Sequence, residues 1–484
     1  ENKALWVKGN ESRDFAFKKL IKSDQNESLQ HEKLVLQMTS NPSWYAVMAL
    51  PYLAEYPYEC SEQLFNRLYA NHLGLKIINE NPRIERIFKQ WRGTDSLKSP
   101  LQKNQDLKSV LLTQTPWVLE AQNETKARQN IGLFFDRNHL KNQLKKAFDN
   151  LSERQLANGS FPWFSGGRSN EFITLYLVTG FGRLRQLGVD IDMSLALKAL
   201  AYLDAEMNDR YLKILEKGNT NDNHFSASVA LYLYGRSFFL KDTKVAYPAA
   251  LDYWMSQAAK YWTKLNSRMS EAHVALGMYR LGDQRVTDKI LKSLRERALY
   301  SEEMGMYWGD EEFSYWWYRA PIETQAMMIE LFSQFDDDSK EVDDLKVWLI
   351  KQKQTQDWKT TKATSDAVYS LLIEGSDWLS NTNLVEVQLG GELVQTGKVE
   401  AGTGFYEKRF TPEQIRGKLG EITVTKKDSG VAWGGLFWQY FENLEKITHH
   451  GSSLNLDKKL FVRKNTKSGP VIEPYQSKKL EVGD

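Results

Sequence analysis

One cysteine in 484 residues excludes an internal disulfide, so no covalent staple holds this chain. The redox compartment is therefore left open. No apolar run is long enough to cross a bilayer. Neither charge is in excess: 64 basic and 62 acidic residues leave +2, which gives no case for nucleic acid or an acidic surface as partner. Zinc spacing is missing. His72, His139 and His273 stand alone, His449-His450 is a pair without partners, and one cysteine cannot complete a site. Asp336-Asp337-Asp338 with Glu341, Asp343 and Asp344 lacks the glycine and ligand order of a calcium loop, and reads as a solvated stretch between helices. Ser165-Gly166-Gly167 lacks the further glycines and the Lys-Ser/Thr pair of a phosphate loop, and reads as a turn. No cofactor and no metal are expected. The chain starts at Glu1 without a methionine or signal segment, so targeting is not read from it. The start at Glu1 and the strand-like end at Val482-Gly483-Asp484 are what a piece of a longer protein would show.

What the chain has is aromatic and well patterned. Trp, Tyr and Phe make up 12% of it, which with balanced charge argues for a folded protein of two to four domains. Residues 1–45 are polar and mixed, with alternating pieces such as Lys33-Leu34-Val35-Leu36-Gln37-Met38, and read as β or loop. Residues 46–380 read as helical throughout, with apolar positions three and four apart, as in Ile173, Tyr176, Leu177, Gly180 and Phe181. From 381 to 450 the period becomes two: Leu384-Val385-Glu386-Val387-Gln388-Leu389 meets the turn Gly390-Gly391 and continues as Glu392-Leu393-Val394. Residues 451–484 read as the first strands of a further β domain, cut short.

The helical part repeats itself weakly. An aromatic turn precedes a helix that opens with Thr or Ser and small residues. Phe161-Pro162-Trp163-Phe164 precedes Thr174-Leu175, and His224-Phe225 precedes Ser226-Ala227-Ser228. Tyr307-Trp308-Gly309 precedes Thr324-Gln325-Ala326, and Trp358 precedes Thr364-Ser365-Asp366. Helix pairs of this kind stack into an open solenoid or close into a toroid. Small residues at the helix starts let inner helices crowd an axis and favour closure.

The single cysteine sits in Pro57-Tyr58-Glu59-Cys60-Ser61-Glu62-Gln63. Pro57 disfavours helix at Tyr56, so a helix is expected to start near Glu59–Ser61. Residues three apart in its first turn face each other, which brings the Cys60 thiol to the Gln63 carboxamide. Attack there expels ammonia and closes a thioester ring. Free N–H groups at the helix start would favour thiolate over thiol and would hold the oxyanion. Trp44, Tyr45, Leu50, Tyr52, Leu53, Tyr56, Tyr58, Leu64, Phe65 and Tyr69 supply an apolar surrounding, and a thioester lasts only where water is kept out. The bland alternative is a small buried residue at a helix start.

Motifs beyond this one bear on the choice. Asn41-Pro42-Ser43-Trp44-Tyr45-Ala46-Val47, Leu50-Pro51-Tyr52-Leu53 and Tyr56–Gln63 together resemble the thioester region of bacterial alpha-2-macroglobulins. Asn158–Phe164, Thr361–Ala367 and Trp433–Tyr440 are similar to later signatures of the same family, so the resemblance covers most of the chain. The family motif is Cys-x-Glu-Gln, and Ser61 stands where Gly or Leu is common. The resemblance implies a multidomain chain. An all-α (α/α)6 toroid thioester domain at 46–380 would be inserted in a CUB-like β-sandwich formed by 1–45 and 381–450. A truncated macroglobulin-like β domain would start at 451–484. It implies a Cys60–Gln63 crosslink with Ser61 and Glu62 as motif neighbours, and Tyr56, Tyr58, Tyr315 and Trp316 as candidates for shielding. It implies a protease inhibitor, a single-use covalent trap and not an enzyme, attacked by lysine amines of target proteases. Its partners would be those proteases and the remaining macroglobulin domains. Its place would be the periplasm or cell envelope, with a lipid anchor on the whole protein as one option. Some vertebrate relatives use a histidine to change the nucleophile, and none is placed here by motif; His224 reads as a surface or cap-adjacent residue.

Two other readings stay open. Asp310, Glu311 and Glu312 lie among Trp308, Tyr315, Trp316 and Trp317, which in a helical toroid suits a carbohydrate-active enzyme. A charged loop beside core aromatics is the simpler account of them. A thioester adhesin would use the same ring on a host surface. Gln155 with Gly159 and Phe161 faintly echoes terpene cyclases, without the Asp-rich motif that chemistry needs.

Overall fold

A computed structural model of the chain describes residues 1–42, 44–80, 82–91, 134–301, 304–309, 317–335, 339–355, 358, 360–373, 383–428, 430–443, 459, 461–466 and 469–474. Long helices occupy the middle and antiparallel strands the two flanks, a mixed helical and β protein.

The N-terminal flank holds β1 (Asn2–Lys8), β2 (Glu11–Ala16), the short α1 (Lys18–Ile21) and β3 (Gln30–Thr39). The C-terminal flank holds β6 (Glu386–Leu389), β7 (Glu392–Leu393), β8 (Tyr406–Phe410), β9 (Glu421–Lys426) and β10 (Val431–Phe441). They interleave in two four-stranded sheets, β1-β10-β3-β8 and β2-β9-β6-β7, in which neighbours are antiparallel. Alternation along β9 buries Ile422, Val424 and Lys426. Leu5, Leu36 and Trp438 from one sheet and Val387, Ile422 and Val424 from the other join in one apolar cluster. Gly390 and Gly391, at φ 58° and 81°, make the tight β6–β7 turn that the sequence signals. A separate hairpin pairs β11 (Phe461–Thr466) with β12 (Gly469–Pro474).

Between the flanks run α2 (Trp44–Ala54), α3 (Ser61–Glu80), α4 (Pro82–Trp91), α5 (Arg137–Arg154), α6 (Glu171–Gln186), α7 (Ser194–Lys217) and α8 (Ala227–Ser237). They are followed by α9 (Pro248–Tyr261), α10 (Arg268–Arg280), α11 (Gln284–Glu296), α12 (Pro321–Phe335), α13 (Ser339–Thr355) and α14 (Thr361–Leu372). Two kinds of helix alternate. α6 is buried from Ile173 to Leu184 on every face, so it must be enclosed by protein. α11 buries Val286, Thr287, Ile290, Leu291 and Leu294, one stripe only. Contacts run from α3 to α6, α8, α10, α12 and α14 in turn, and from α14 back to α3. α5, α7, α9, α11 and α13 pack on these inner helices.

The aromatic turns of the repeat precede α6, α8, α12 and α14. The inner helices are capped by their sequence: Asn170, Ser226, Ser267 and Thr360 accept from the N–H groups of Ile173, Val229, Ser270 and Ala363. Gln155 ties its turn down, donating to the Gly159 and Leu195 carbonyls at 2.8 and 2.9 Å, a structural use of the residues that echoed the cyclases. Gly180 is needed where α6 meets α3, because a Cβ there would stand 2.2 Å from the Phe65 ring.

The expectation of helix throughout 46–380 fails at residues 299–307. β4 (Leu299–Ser301) and β5 (Gly305–Tyr307) form a hairpin. Gly305 turns it at φ 70°, with the space for a Cβ taken by the Asp344 carbonyl of α13 at 2.2 Å. The sheets meet the helices through the cross-strand pair Trp6 and Trp433, which joins the helical core, and through a buried ion pair, Lys8 to Asp344 at 2.6 Å.

Candidate functional site

Cys60 stands immediately before α3, at its N-cap, and is a buried thiol, 5% exposed. The helix begins at Ser61, where Pro57 and the spacing put it. The backbone N–H groups of Glu62 and Gln63 at the helix start favour the charged form of the Cys60 sulfur. Gln63, three positions on, folds back over the first turn, and its Oε1 accepts the Cys60 N–H at 3.2 Å. The arrangement holds thiol and carboxamide together on one turn. The donor on Oε1 polarises the carbonyl and already occupies an oxyanion position.

The protonation state departs from the expectation. Burial pushes the Cys60 thiol above its usual range, and the neighbouring Glu62 carboxyl adds to this. The helix N–H groups act in the opposite direction and are outweighed. Cys60 is a thiol that keeps its proton, not a standing thiolate.

Ser61 and Glu62 are built into the surroundings. Ser61 N–H and Oγ–H donate to the carbonyls of Trp163 and Pro162 at 2.9 and 2.6 Å, which seats the turn before α6 on the start of α3. Glu62 turns inward. Its Oε1 accepts from Asn66 Nδ2 at 2.6 Å and from Thr361 Oγ1 of α14 at 2.7 Å, and its Oε2 accepts from Cys60 Sγ at 3.8 Å. Burial raises the Glu62 carboxyl above its usual range, opposed by Thr361, Lys362 and Asn66. Asn66 Oδ1 accepts from the Tyr176 hydroxyl at 2.7 Å, so the line of polar groups continues into α6. Thr361, Asn66 and the Pro162–Trp163 carbonyls were not assigned a role from sequence. Thr361 and the turn lie in motifs that carry the family resemblance, which was the only signal available.

The shielding candidates divide. Tyr56 is half-buried and Tyr58 is 66% exposed, with ring centroids 5.8 Å apart. The segment they occupy is clamped to α3 by Arg67, which donates to the Tyr56 carbonyl at 2.8 Å and pairs with Glu59 at 3.1 Å. Tyr315 and Trp316 lie outside the described residues, as do Asp310, Glu311 and Glu312 of the carbohydrate reading. Their neighbour Trp317 packs on Phe172, which stacks on Trp163. His224 Nε2 lies 3.0 Å from the Asn219 carbonyl, and its N–H donates to Gln257, a loop role. Asp336–Asp338 and His449-His450 lie outside the described residues; Glu341 pairs with Arg295 at 3.0 Å. Among the described residues no group of His, Cys, Asp and Glu gathers as for a metal ion, and no helix is long and apolar enough to cross a membrane.

No family model matches the chain, and no curated protein matches it in sequence. Solved structures that the chain resembles include bacterial alpha-2-macroglobulins. The native Escherichia coli protein, from domain MG7 to the C-terminus, is 13% identical at a TM-score of 0.46, over 90% of this chain and 56% of that one. The E. coli protein activated by porcine elastase is 14% identical at 0.46, over 90% and 32%. The Salmonella protein reacted with methylamine is 15% identical at 0.41, over 90% and 23%. The chain therefore spans about half, or less, of the length of these structures.

Proposed function

We propose that Cys60 and Gln63 close an internal thioester and that this chain is the reactive part of a covalent protease trap of the alpha-2-macroglobulin kind. The observation that carries the reading is the Gln63 carboxamide folded back onto the Cys60 N–H at 3.2 Å, beside a buried thiol. The reaction is acyl transfer. An amine, such as a protease lysine, adds to the Gln63 side-chain carbon, the bond to Cys60 sulfur breaks, and an amide replaces the thioester. That exchange is downhill and single-use, so control must lie in access, which the turn at Pro162–Trp163 and the strap at Tyr56–Glu59 govern. Within this reading the ring of inner helices is an (α/α)6 toroid, the interleaved sheets are its CUB-like host, and the β11–β12 hairpin opens the next β domain. Tyr56 and Tyr58 stand at the rim of the site. The remaining domains and a cell-envelope setting belong to the whole protein.

Intact mass tests it. Freshly made protein should be lighter by one ammonia than its sequence, and should gain one methylamine on treatment. Cys60→Ala should show neither change. Fresh wild-type protein of full mass, with a Cys60 thiol that alkylates freely, would overturn the reading.

A further inference from the structure

A thioester cannot close from a protonated thiol and a carboxamide unless a proton moves. The thiol must lose one as sulfur attacks, and the departing nitrogen must gain one to leave as ammonia. Burial keeps the proton on Cys60 sulfur, and only 5% of the residue is open to solvent. A fixed group beside the sulfur is placed to carry it. Glu62 Oε2 is 3.8 Å from Sγ and accepts its proton. Both Asn66 and Thr361 bind the other oxygen, Oε1, at 2.6 and 2.7 Å. With Oε1 so engaged, the carboxylate cannot rotate without breaking two hydrogen bonds, and the lone pairs of Oε2 are left toward the sulfur.

We propose that Glu62 is the acid–base residue of the Cys60–Gln63 reaction, and that Thr361 is its positioning residue; the proposal rests on the thioester reading above. In closure, Oε2 takes the thiol proton while the sulfur bonds to the Gln63 side-chain carbon. The carbonyl electrons move onto the Gln63 oxygen, which faces the Cys60 N–H. The Glu62 acid then passes the proton to the amide nitrogen, the carbon–nitrogen bond breaks, and ammonia leaves. Thiol and carboxamide have become thioester and ammonia, with Glu62 again a carboxylate. Aminolysis uses the same path: the attacking amine gives its surplus proton to Oε2, which returns it to the departing sulfur. The products are an amide and a thiol.

A carboxyl held by burial above its ordinary range suits a group that must both take and give a proton. Lys362, from the same helix as Thr361, opposes that rise and keeps the charged form within reach.

The test uses the whole chain, freshly prepared, with Glu62→Gln and Thr361→Val beside wild type. Glu62→Gln keeps the size and the acceptor for Asn66 and Thr361, and removes only the proton exchange. Two nucleophiles open the ring: methylamine, which brings a proton to be removed, and a small alkyl thiolate, which does not. Methylamine uptake by Glu62→Gln should fall about 100-fold, the usual scale of acid–base catalysis, with thiolate opening slowed far less. Thr361→Val, which keeps the carboxylate but frees it, should show the same split at smaller size. A Glu62→Gln protein that melts with wild type yet retains a free thiol also supports the proposal, because closure needs the same proton path. Should Glu62→Gln fail to fold, the Thr361→Val split decides. Uptake of methylamine at the wild-type rate, or equal slowing with both nucleophiles, would overturn it while the thioester stands. Wild-type protein that never loses ammonia takes down both.

Discussion

At the scale of the residue, Cys60 occupies the position just before α3, where a capping side chain would stand. The Gln63 side-chain oxygen folds back and satisfies the Cys60 N–H. A serine would fill the capping role as well, and cap preferences favour it. Under the proposed thioester the thiol is what serine cannot replace, because sulfur would make the activated ester. A closed ring also places the Gln63 backbone nitrogen within its own side chain's reach. On heating, that nitrogen attacks the activated carbon, forms a five-membered lactam and expels the Cys60 sulfur. The Glu62–Gln63 bond is then an imide, which water cuts. We expect heated, fresh wild-type protein to give two fragments that meet between Glu62 and Gln63, and Cys60→Ala or methylamine-treated protein to give none. Gel electrophoresis and fragment masses check this; an uncut wild-type chain that still lacks ammonia would contradict it.

At the scale of the element, the site depends on how closely α3 lies against α6 and α14. Phe65 packs into the space that Gly180 leaves open, with Tyr176 and Phe181 at ring-centroid distances of 5.9 and 5.3 Å. Gly180→Ala puts a methyl 2.2 Å from that ring, so the helix or the ring has to move. Such overpacking costs about 1–3 kcal/mol. The displaced α3 would carry Glu62 away from Thr361, so we expect lower stability in urea together with slower methylamine uptake. Unaltered uptake in a destabilised variant would show that the site tolerates the shift. The pair Cys60 and Gln63 was legible in sequence because three-residue spacing in a helix is a local rule. The period change at Leu384–Leu389 and the Gly390-Gly391 turn were legible for the same reason. Thr361 was not, since it meets Glu62 across 299 residues and only the return of α14 to α3 brings it there. The state of the thiol was not legible either: helix position alone suggests thiolate, and burial reverses it. The β4–β5 hairpin escaped because its strands are three residues each, too short for any period to register.

At the scale of the whole molecule, a host of interleaved strands has to hold a body of helices in one register. β1 does much of this. Trp6 faces the helical core beside Trp433, while Leu5 and Val7, alternating with it, face the core between the sheets. Lys8, the last residue of β1, is 7% exposed and reaches Asp344 on α13 at 2.6 Å. The same segment of α13 supplies the carbonyl that crowds Gly305, so the hairpin, the outer helix and the strand meet at one point. Removing the Asp344 carboxylate leaves Lys8 buried without its counter-ion, which costs about 3–5 kcal/mol, whereas removing Lys8 leaves a part-exposed carboxylate and costs less. Removing both with apolar residues of similar size leaves no stranded charge, so the double variant should cost less than the sum of the two. We therefore expect Lys8→Met and Asp344→Leu each to lower the urea midpoint, and the double variant to recover part of the loss. If the two losses simply add, the pair does not couple the sheets to the helices, and the Trp6–Trp433 contact has to hold the junction without it.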